Sequence, residues 1–291
     1  MNNVSDSTAI LGRWDITIDI NGQERPSWLE VRHSGFRMLV GRFVGVDGSA
    51  RPVSRIHVDN DGFHFSIPPQ WQHEDADLFV QGQLTSDGLS GTMKFPDGQT
   101  YKWTAKKAPL LRRSEPVTWG KPITLFDGKN QDAWQATGKN QWIVENGLLR
   151  SPQSGSNLVT KQEFNDFKLH IEFRYPKGSN SGVYLRGRYE VQVIDSKGML
   201  PDDLLFGGIY GFLTPSEMAA KSAGEWQSYD ITLIGRMVTI VANGVTIIQN
   251  QEIPGITGGA INSNEDEPGP VLLQGDHGPV DFRNIIITPA K

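Results

Sequence analysis

Asn180-Ser-Gly-Val-Tyr-Leu-Arg-Gly-Arg-Tyr-Glu-Val-Gln-Val-Ile-Asp195 alternates apolar and polar side chains over its second half, where Val191 and Val193 interleave with Glu190 and Gln192. Successive side chains of a strand point to opposite faces, so the two valines share one face and the carboxylate and amide share the other. The valine face calls for a core. The other face is not filled with hydrophobes in this stretch, which is how a sheet floor for a polar ligand such as a sugar is built. A second stretch, Gly269-Pro-Val-Leu-Leu-Gln-Gly-Asp-His-Gly-Pro-Val-Asp-Phe-Arg-Asn-Ile285, sets Gln274, Asp276 and His277 between two apolar runs.

Working outward, the segments around these two are also β in pattern. Lys168-Leu-His-Ile-Glu-Phe-Arg174 alternates strictly, and its His170 falls on the solvated side. Further strands are predicted at Trp142–Leu149, Gln227–Ile234, Val238–Ala242 and Val245–Gln249, with Asn243-Gly244 as a two-residue hairpin turn. The best helical candidate is only Pro215-Ser-Glu-Met-Ala-Ala-Lys221. So many strands in one stretch imply two stacked antiparallel sheets over 123–291.

The first 108 residues read as a separate small antiparallel domain. Turn dipeptides recur at Asn21-Gly22, Asp47-Gly48, Asp61-Gly62, Asp87-Gly88 and Asp97-Gly98, between about eight short strands. Eight such strands close up-and-down as lipocalins do, and Gly12-Arg13-Trp14-Asp15 resembles a lipocalin-type first strand. The plain alternative is a small filled barrel without chemistry of its own. Residues 109–122, with three prolines and a charge cluster between Lys106 and Pro122, read as the linker. The fold class is therefore all-β: a lipocalin-like meander followed by a two-sheet sandwich.

Composition narrows the function. The 291 residues include 32 Gly and 17 Pro with 37% apolar content, as in turn-rich β domains. A net charge of −5 without a basic run disfavours nucleic acid as a partner. No apolar run approaches the ~18 residues that span a bilayer. The opening Met1-Asn-Asn-Val-Ser-Asp6 lacks the regions of an export signal: a native start at Met1 predicts a cytoplasmic protein, and a longer reading frame one that begins with such a signal. The absence of cysteine excludes disulfides, thiolate metal sites and a Cys nucleophile. There is no Gly-x-Ser-x-Gly elbow and no phosphate loop. The six histidines lack ligand spacing, so a divalent metal finds no support there, and no organic cofactor is expected. Asp59-Asn-Asp-Gly62 resembles the start of a calcium loop but lacks the later glutamate, and is read as a turn.

Phe126-Asp-Gly-Lys129, Trp134, Trp142, Glu145-Asn-Gly147, Asn180 to Gly187, Tyr189-Glu-Val-Gln-Val193, Asp195, Gly208-Ile-Tyr-Gly211, Glu225-Trp226, Asn243-Gly244, Gln274-Gly-Asp-His-Gly278 and Phe282-Arg-Asn-Ile285 follow one another in order. Over about residues 120–289 they resemble the 3-keto-disaccharide hydrolase family, which implies a concanavalin-like jelly-roll sandwich. The family's Gln-Asp-His here reads Gln274-Gly275-Asp276-His277, one residue longer.

The resemblance implies cleavage of 3-keto-glycosides, with the ketone supplied by a separate sugar dehydrogenase. A ketone at C3 acidifies the C2 proton; its removal gives an enolate, the C1 oxygen leaves, and water adds back. Such a site needs a base, an acid and a donor for the enolate oxygen. Glu190, His277 and Asp195 are the candidate catalytic groups, His277 because its pKa lies near neutrality. Arg186 or Arg283 would hold the enolate or a hydroxyl. Asn180, Gln192, Gln274 and Asp276 would read hydroxyls, and Tyr210 or Trp226 would stack on a sugar. Structural roles compete. Asp195 has the parity of the valines and caps a turn equally well, Trp142 and Trp226 suit a core, and either arginine could form an ion pair with Glu190. Two other functions stay open. One is a conventional glycoside hydrolase, for which Glu190-x-Gln-x-x-Asp195 has the right spacing but an amide at the middle position. The other is a non-catalytic carbohydrate-binding module.

Overall fold

The computed structural model describes residues 8–60, 62–113 and 116–291. Asp61 of one predicted turn, Ser114 and Glu115 of the linker, and the start of the chain lie outside the described residues. Among the described residues there is no helix, and hence none long and apolar enough to cross a membrane. Pro215–Lys221 is irregular: seven residues are too few to nucleate a helix on their own.

The chain divides into two units: residues up to Pro109 together with Gly255–Glu265, and Leu110–Pro254 together with Asp266–Lys291. In the first unit, strands β1 (Gly12–Ile20), β2 (Gln23–Ser34), β3 (Met38–Val44), β4 (Arg51–Asp59), β5 (Gly62–Ile67), β6 (Leu78–Thr85), β7 (Gly88–Lys94) and β8 (Thr100–Lys107) close into an antiparallel barrel. Closure is made by β1 against β8. The alternation of Trp14, Ile16 and Ile18 with Asp15 and Thr17 sends one set inward, and Phe43, Phe63, Phe65, Met93 and Trp103 fill the remaining interior. The barrel is a packed core, as small eight-stranded barrels are.

Gly255–Glu265 lies in sequence within the range 123–291 but packs on this barrel. A side chain on Gly255 would collide with the Trp28 indole, and one on Gly258 would lie 2.0 Å from the Gly48 carbonyl oxygen. Gly259 N donates to Val46 O at 3.2 Å, and the Thr17 and Ser263 hydroxyls are 2.8 Å apart. Two glycines in this segment thus permit a close approach that no other residue allows.

The second unit holds β9 (Ile123–Phe126), β10 (Trp134–Ala136), β11 (Ile143–Glu145), β12 (Leu148–Ser151), β13 (Leu158–Thr160), β14 (Phe167–Arg174), β15 (Asn180–Leu185), β16 (Tyr189–Ile194), β17 (Gln227–Ile234), β18 (Met237–Ala242), β19 (Val245–Glu252), β20 (Leu272–Leu273) and β21 (Val280–Pro289). A five-stranded sheet runs β10-β13-β20-β15-β16, and an eight-stranded one runs β11-β12-β21-β14-β17-β18-β19 with β9 beside β21. They form a jelly-roll sandwich. Trp142–Leu149 is not one strand: Asn146 and Gly147, at φ of 53° and 77°, turn β11 back onto β12. Asn-Gly favours this turn, and the short flanking runs hid it. Asn243-Gly244 makes the same turn between β18 and β19.

Phe173, Tyr229 and Phe282 of the eight-stranded sheet are buried together with Phe206, with ring centroids 4.7 to 6.3 Å apart. Tyr229 crosses to the other sheet, its buried hydroxyl donating to Gln192 O at 2.6 Å. The two sheets are therefore layered on one core, and each has an outer face.

Gly258→Ala tests the assignment of Gly255–Glu265 to the barrel. The added methyl group is expected to destabilise the barrel by about 1–3 kcal/mol. Amide exchange at Trp28, Phe43 and Val44 should quicken while the β14, β17 and β18 amides keep their protection. Unchanged exchange in the barrel would refute the assignment.

Candidate functional site

Leu185-Arg-Gly-Arg188 is a tight turn, with Arg186 and Gly187 at φ of 52° and 64° and Arg188 N donating to Leu185 O. Both central residues are in the left-handed region, as a type I′ hairpin requires. The turn sets the register of β15 on β16, which places Tyr184 opposite Glu190 and Gly182 opposite Gln192. Leu272 pairs with both Tyr184 and Val159. Asn180, Gly182, Tyr184, Glu190, Gln192, Leu272 and, by alternation, Gln274 thus share the outer face of the five-stranded sheet. Val183, Val191, Val193 and Leu273 point to the core, all fully buried.

Glu190 is 3% exposed. Tyr184 Oη donates to its Oε2 at 2.9 Å. Burial pushes its carboxyl up to about 8, against the smaller opposing effects of the Tyr184 hydrogen bond and the His277 charge; Asp276 adds to the rise. Gly182 makes the room: a methyl group there would stand 2.3 Å from Glu190 Oε1. Val159, Tyr184 and Leu272 form a small apolar cluster of their own on the floor.

The loop after β20 brings Asp276 and His277 close enough to act electrostatically on Glu190. Asp276 Oδ1 is 2.6 Å from His277 Nδ1. That contact raises the imidazole pKa, burial opposes it, and the Asp276 and Glu190 charges add to the rise. Both residues of the pair are half-exposed, at the lip of the site. The extra residue Gly275 is tightly held. Its N–H donates to Asn157 Oδ1 and its carbonyl accepts from Gly155 N, while a Cβ would strike Ser156 O and the Trp142 ring. Trp142 itself is buried, with Nε1 donating to Ser156 O, and belongs to the core.

Of the residues singled out from sequence, Glu190, His277, Asp276, Asn180, Gln274 and Tyr210 come together. Asn180 Oδ1 and Gln274 Oε1 are buried acceptors without a protein partner. Tyr210 N donates to Glu190 O, and its ring stands near enough to Tyr184 to act on it electrostatically. Gln192 lies on the same face, but its amide is turned to the backbone, accepting from Val193 N and donating to Leu204 O.

Four residues are placed otherwise. Asp195 lies just past β16 and accepts from Gly178 N at 3.1 Å, tying two loops as a turn cap. Arg186 is in the hairpin turn, buried, and donates to Tyr189 Oη at 2.7 Å. Arg283 bonds Glu172 at 2.6 Å on the outer face of the eight-stranded sheet, since its neighbour Phe282 takes the core side. Trp226 lies against Arg174 and Arg283, 4.8 and 3.8 Å from its ring, on that same far face. Neither arginine ion-pairs with Glu190; side-chain parity separates Arg283 and Trp226 from it by the whole core. Two contributors were missed in sequence, Tyr184 and Gly182. The hairpin register would have revealed both, had Arg186-Gly187 been read as its turn. Among the described residues no group of His, Asp and Glu converges in a way that could hold a metal ion.

A family model for the 3-keto-alpha-glucoside-1,2-lyase-like domain matches residues 121–288. A 3-keto-disaccharide hydrolase from Bacteroides thetaiotaomicron is 29% identical over 119 residues, which is 36% of this chain and 40% of that protein; the chain thus matches less than half of its length. A candidate glycosyl hydrolase structure from Parabacteroides distasonis is 31% identical, with a TM-score of 0.49, covering 60% of this chain and 92% of the other. Another from the same organism is 24% identical, with a TM-score of 0.46, over 58% and 98%. The family match takes in more than half of the chain and every residue of the floor around Glu190, and the chain belongs to the 3-keto-alpha-glucoside-1,2-lyase-like domain family.

Proposed function

We propose that the chain cleaves 3-keto-glycosides by elimination at C1 and hydration. The observation that carries this is a buried Glu190, protonated near neutral pH, beneath an Asp276–His277 pair on a polar sheet face. The family and the name of the Bacteroides relative support a carbohydrate hydrolase acting on 3-keto sugars.

Each group has one task. Asp276 holds His277 by Nδ1, leaving Nε2 to take the C2 proton once the imidazole is neutral. The electron pair of the C2–H bond moves to the C3 oxygen as an enolate. The enolate returns it to form the C1–C2 double bond and expels the C1 oxygen, which takes its proton from Glu190. Water then adds to C1, and C2 regains a proton. Asn180 Oδ1 and Gln274 Oε1, as unpaired acceptors, read sugar hydroxyls, since a buried acceptor left unpaired is costly. Tyr210 flanks the ring. The fit with elimination is better than with a retaining displacement, which needs a second ionisable carboxylate near ~5–5.5 Å; Gln192 stands at that strand position with its amide turned away. A separate dehydrogenase would supply the 3-keto group.

With a 3-keto-glycoside as substrate, Glu190→Gln and His277→Ala should each lower kcat by about 10²–10⁴-fold, with the unaltered sugar binding much as before. Cleavage in D₂O should leave deuterium at C2 of the product. Unlabelled product would mean displacement at C1 and end the elimination mechanism.

The rate should follow a bell, its alkaline limb near pH 8 where Glu190 loses its proton. Tyr184→Phe removes a hydrogen bond that favours the ionised carboxylate, so that limb should move to higher pH. A stability measurement gives an independent reading. The folded chain keeps the Glu190 proton up to about pH 8, whereas the unfolded chain loses it near the ordinary carboxylate value. Stability therefore falls as pH rises through that window, and the raised His277 pKa adds a fall of the same sign that begins at the ordinary imidazole value inside it. Glu190→Gln should flatten the lower part of this slope, seen as a smaller change of Tm between pH 5 and 8 (about the span of the shift).

A further inference from the structure

We propose that the outer wall of the barrel carries a binding site for a neutral glycan chain, across β5, β6 and β7. The strand register puts His57, His64, Gln81, Thr92 and Lys102 in one row across β4 to β8. Phe63, Gly82, Gly91 and Trp103 form the alternate row, whose side chains point into the barrel. On the outside a groove of about 530 Å³ opens, within the ~300–1,000 Å³ usual for ligand sites. This is far larger than the space of about 50 Å³ at the barrel mouth by Arg51, so a ligand finds room on the wall of this barrel and not in its filled lumen.

The lining is of two kinds. His64 and Phe79 present rings at the surface, their centroids 5.8 Å apart and tilted by 36°, and His57 stacks in parallel on the other side of His64 at 5.0 Å. Phe79 is 37% exposed, although an outward phenylalanine on a barrel strand gains nothing from water. Beside the rings stand Gln81, Gln83, Ser90 and Thr92, four neutral side chains that both donate and accept hydrogen bonds. Among the described lining residues the charged groups are Asp59 and His64, 3.6 Å apart, which compensate each other when the imidazole is protonated. No arginine or lysine of that lining faces the groove, as a phosphate or carboxylate ligand would require.

Flat apolar rings flanked by amides and hydroxyls match a pyranose, which has C–H faces and hydroxyl edges and no charge. The amides would read equatorial hydroxyls from fixed positions, since each side chain stands on a strand of a closed barrel. This site lies in the other unit from Glu190, and its existence does not depend on the chemistry proposed there.

The test uses the full chain carrying Glu190→Gln, titrated separately with cellohexaose, laminarihexaose, maltohexaose and polygalacturonate by calorimetry and by NMR of the aromatic rings. At least one neutral hexasaccharide should bind and shift the Phe79 ring signals, and polygalacturonate should not. Phe79→Ala should weaken that binding by about tenfold, the loss of one ring contact. Gln81→Ala with Gln83→Ala should weaken it without altering the melting temperature. The chain with native Glu190 should show the same affinity. The proposal is overturned if no neutral hexasaccharide binds, if Phe79→Ala leaves the affinity unchanged, or if only polygalacturonate binds. The catalytic proposal would survive each of those results, because its readout is turnover of a 3-keto-glycoside.

Discussion

A carboxyl group taken out of water must be neutral, paired or both. Glu190 meets this demand on the face of a sheet, and much of the second unit is arranged around it. It keeps its proton up to about pH 8 and accepts one hydrogen bond from Tyr184. Gly182 leaves the space its carboxyl occupies. The hairpin turn at Arg186-Gly187 puts these three side by side, because a one-residue slip would send Tyr184 to the core and a valine to the floor. Charge is then added at the lip, where Asp276 and His277 are half in water and pay less for ionisation.

The floor is stiff because of what lies beneath it. Tyr229 spans the sandwich to bond the Gln192 carbonyl, and Phe173, Phe206 and Phe282 fill the space between the sheets. The loop that carries His277 is anchored just before it. Gly275 is bonded to Asn157 and Gly155 and pressed on Ser156 and Trp142. The additional residue in the Gln-Asp-His motif is thus a backbone spacer lodged in a tight place, and Asp276 still reaches the neighbourhood of Glu190.

The first unit solves a different problem. Its barrel encloses Trp14, Phe43, Phe63, Phe65 and Trp103 in a packed interior. A segment from far along the chain, Gly255–Glu265, completes its packing. Glycines at 255 and 258 allow that contact, one against an indole and one against a carbonyl.

The periodicity of two and the recurrent Asn-Gly and Asp-Gly pairs were enough, in sequence, to establish an all-β chain, an eight-stranded first domain and the opposite facing of Val191 and Glu190. The ordered motifs from Phe126 to Ile285 were enough for the family. These features are local, because each follows from neighbouring residues and their allowed φ and ψ. Which polar residues share a site depended on sheet order and on which face of each sheet is outermost. Arg283 and Trp226 have the right chemistry for a sugar site but stand on the far side of the core, and Asp195 is spent on the Gly178 amide. Tyr184 reads in sequence as one more aromatic in a strand, yet across the hairpin it donates a hydrogen bond to Glu190. The Gly255–Glu265 segment likewise shows no pattern by itself, since its glycines matter only for what they touch more than 200 residues away. Contacts between distant parts of the chain are set by packing, and packing is decided only when the whole chain is folded.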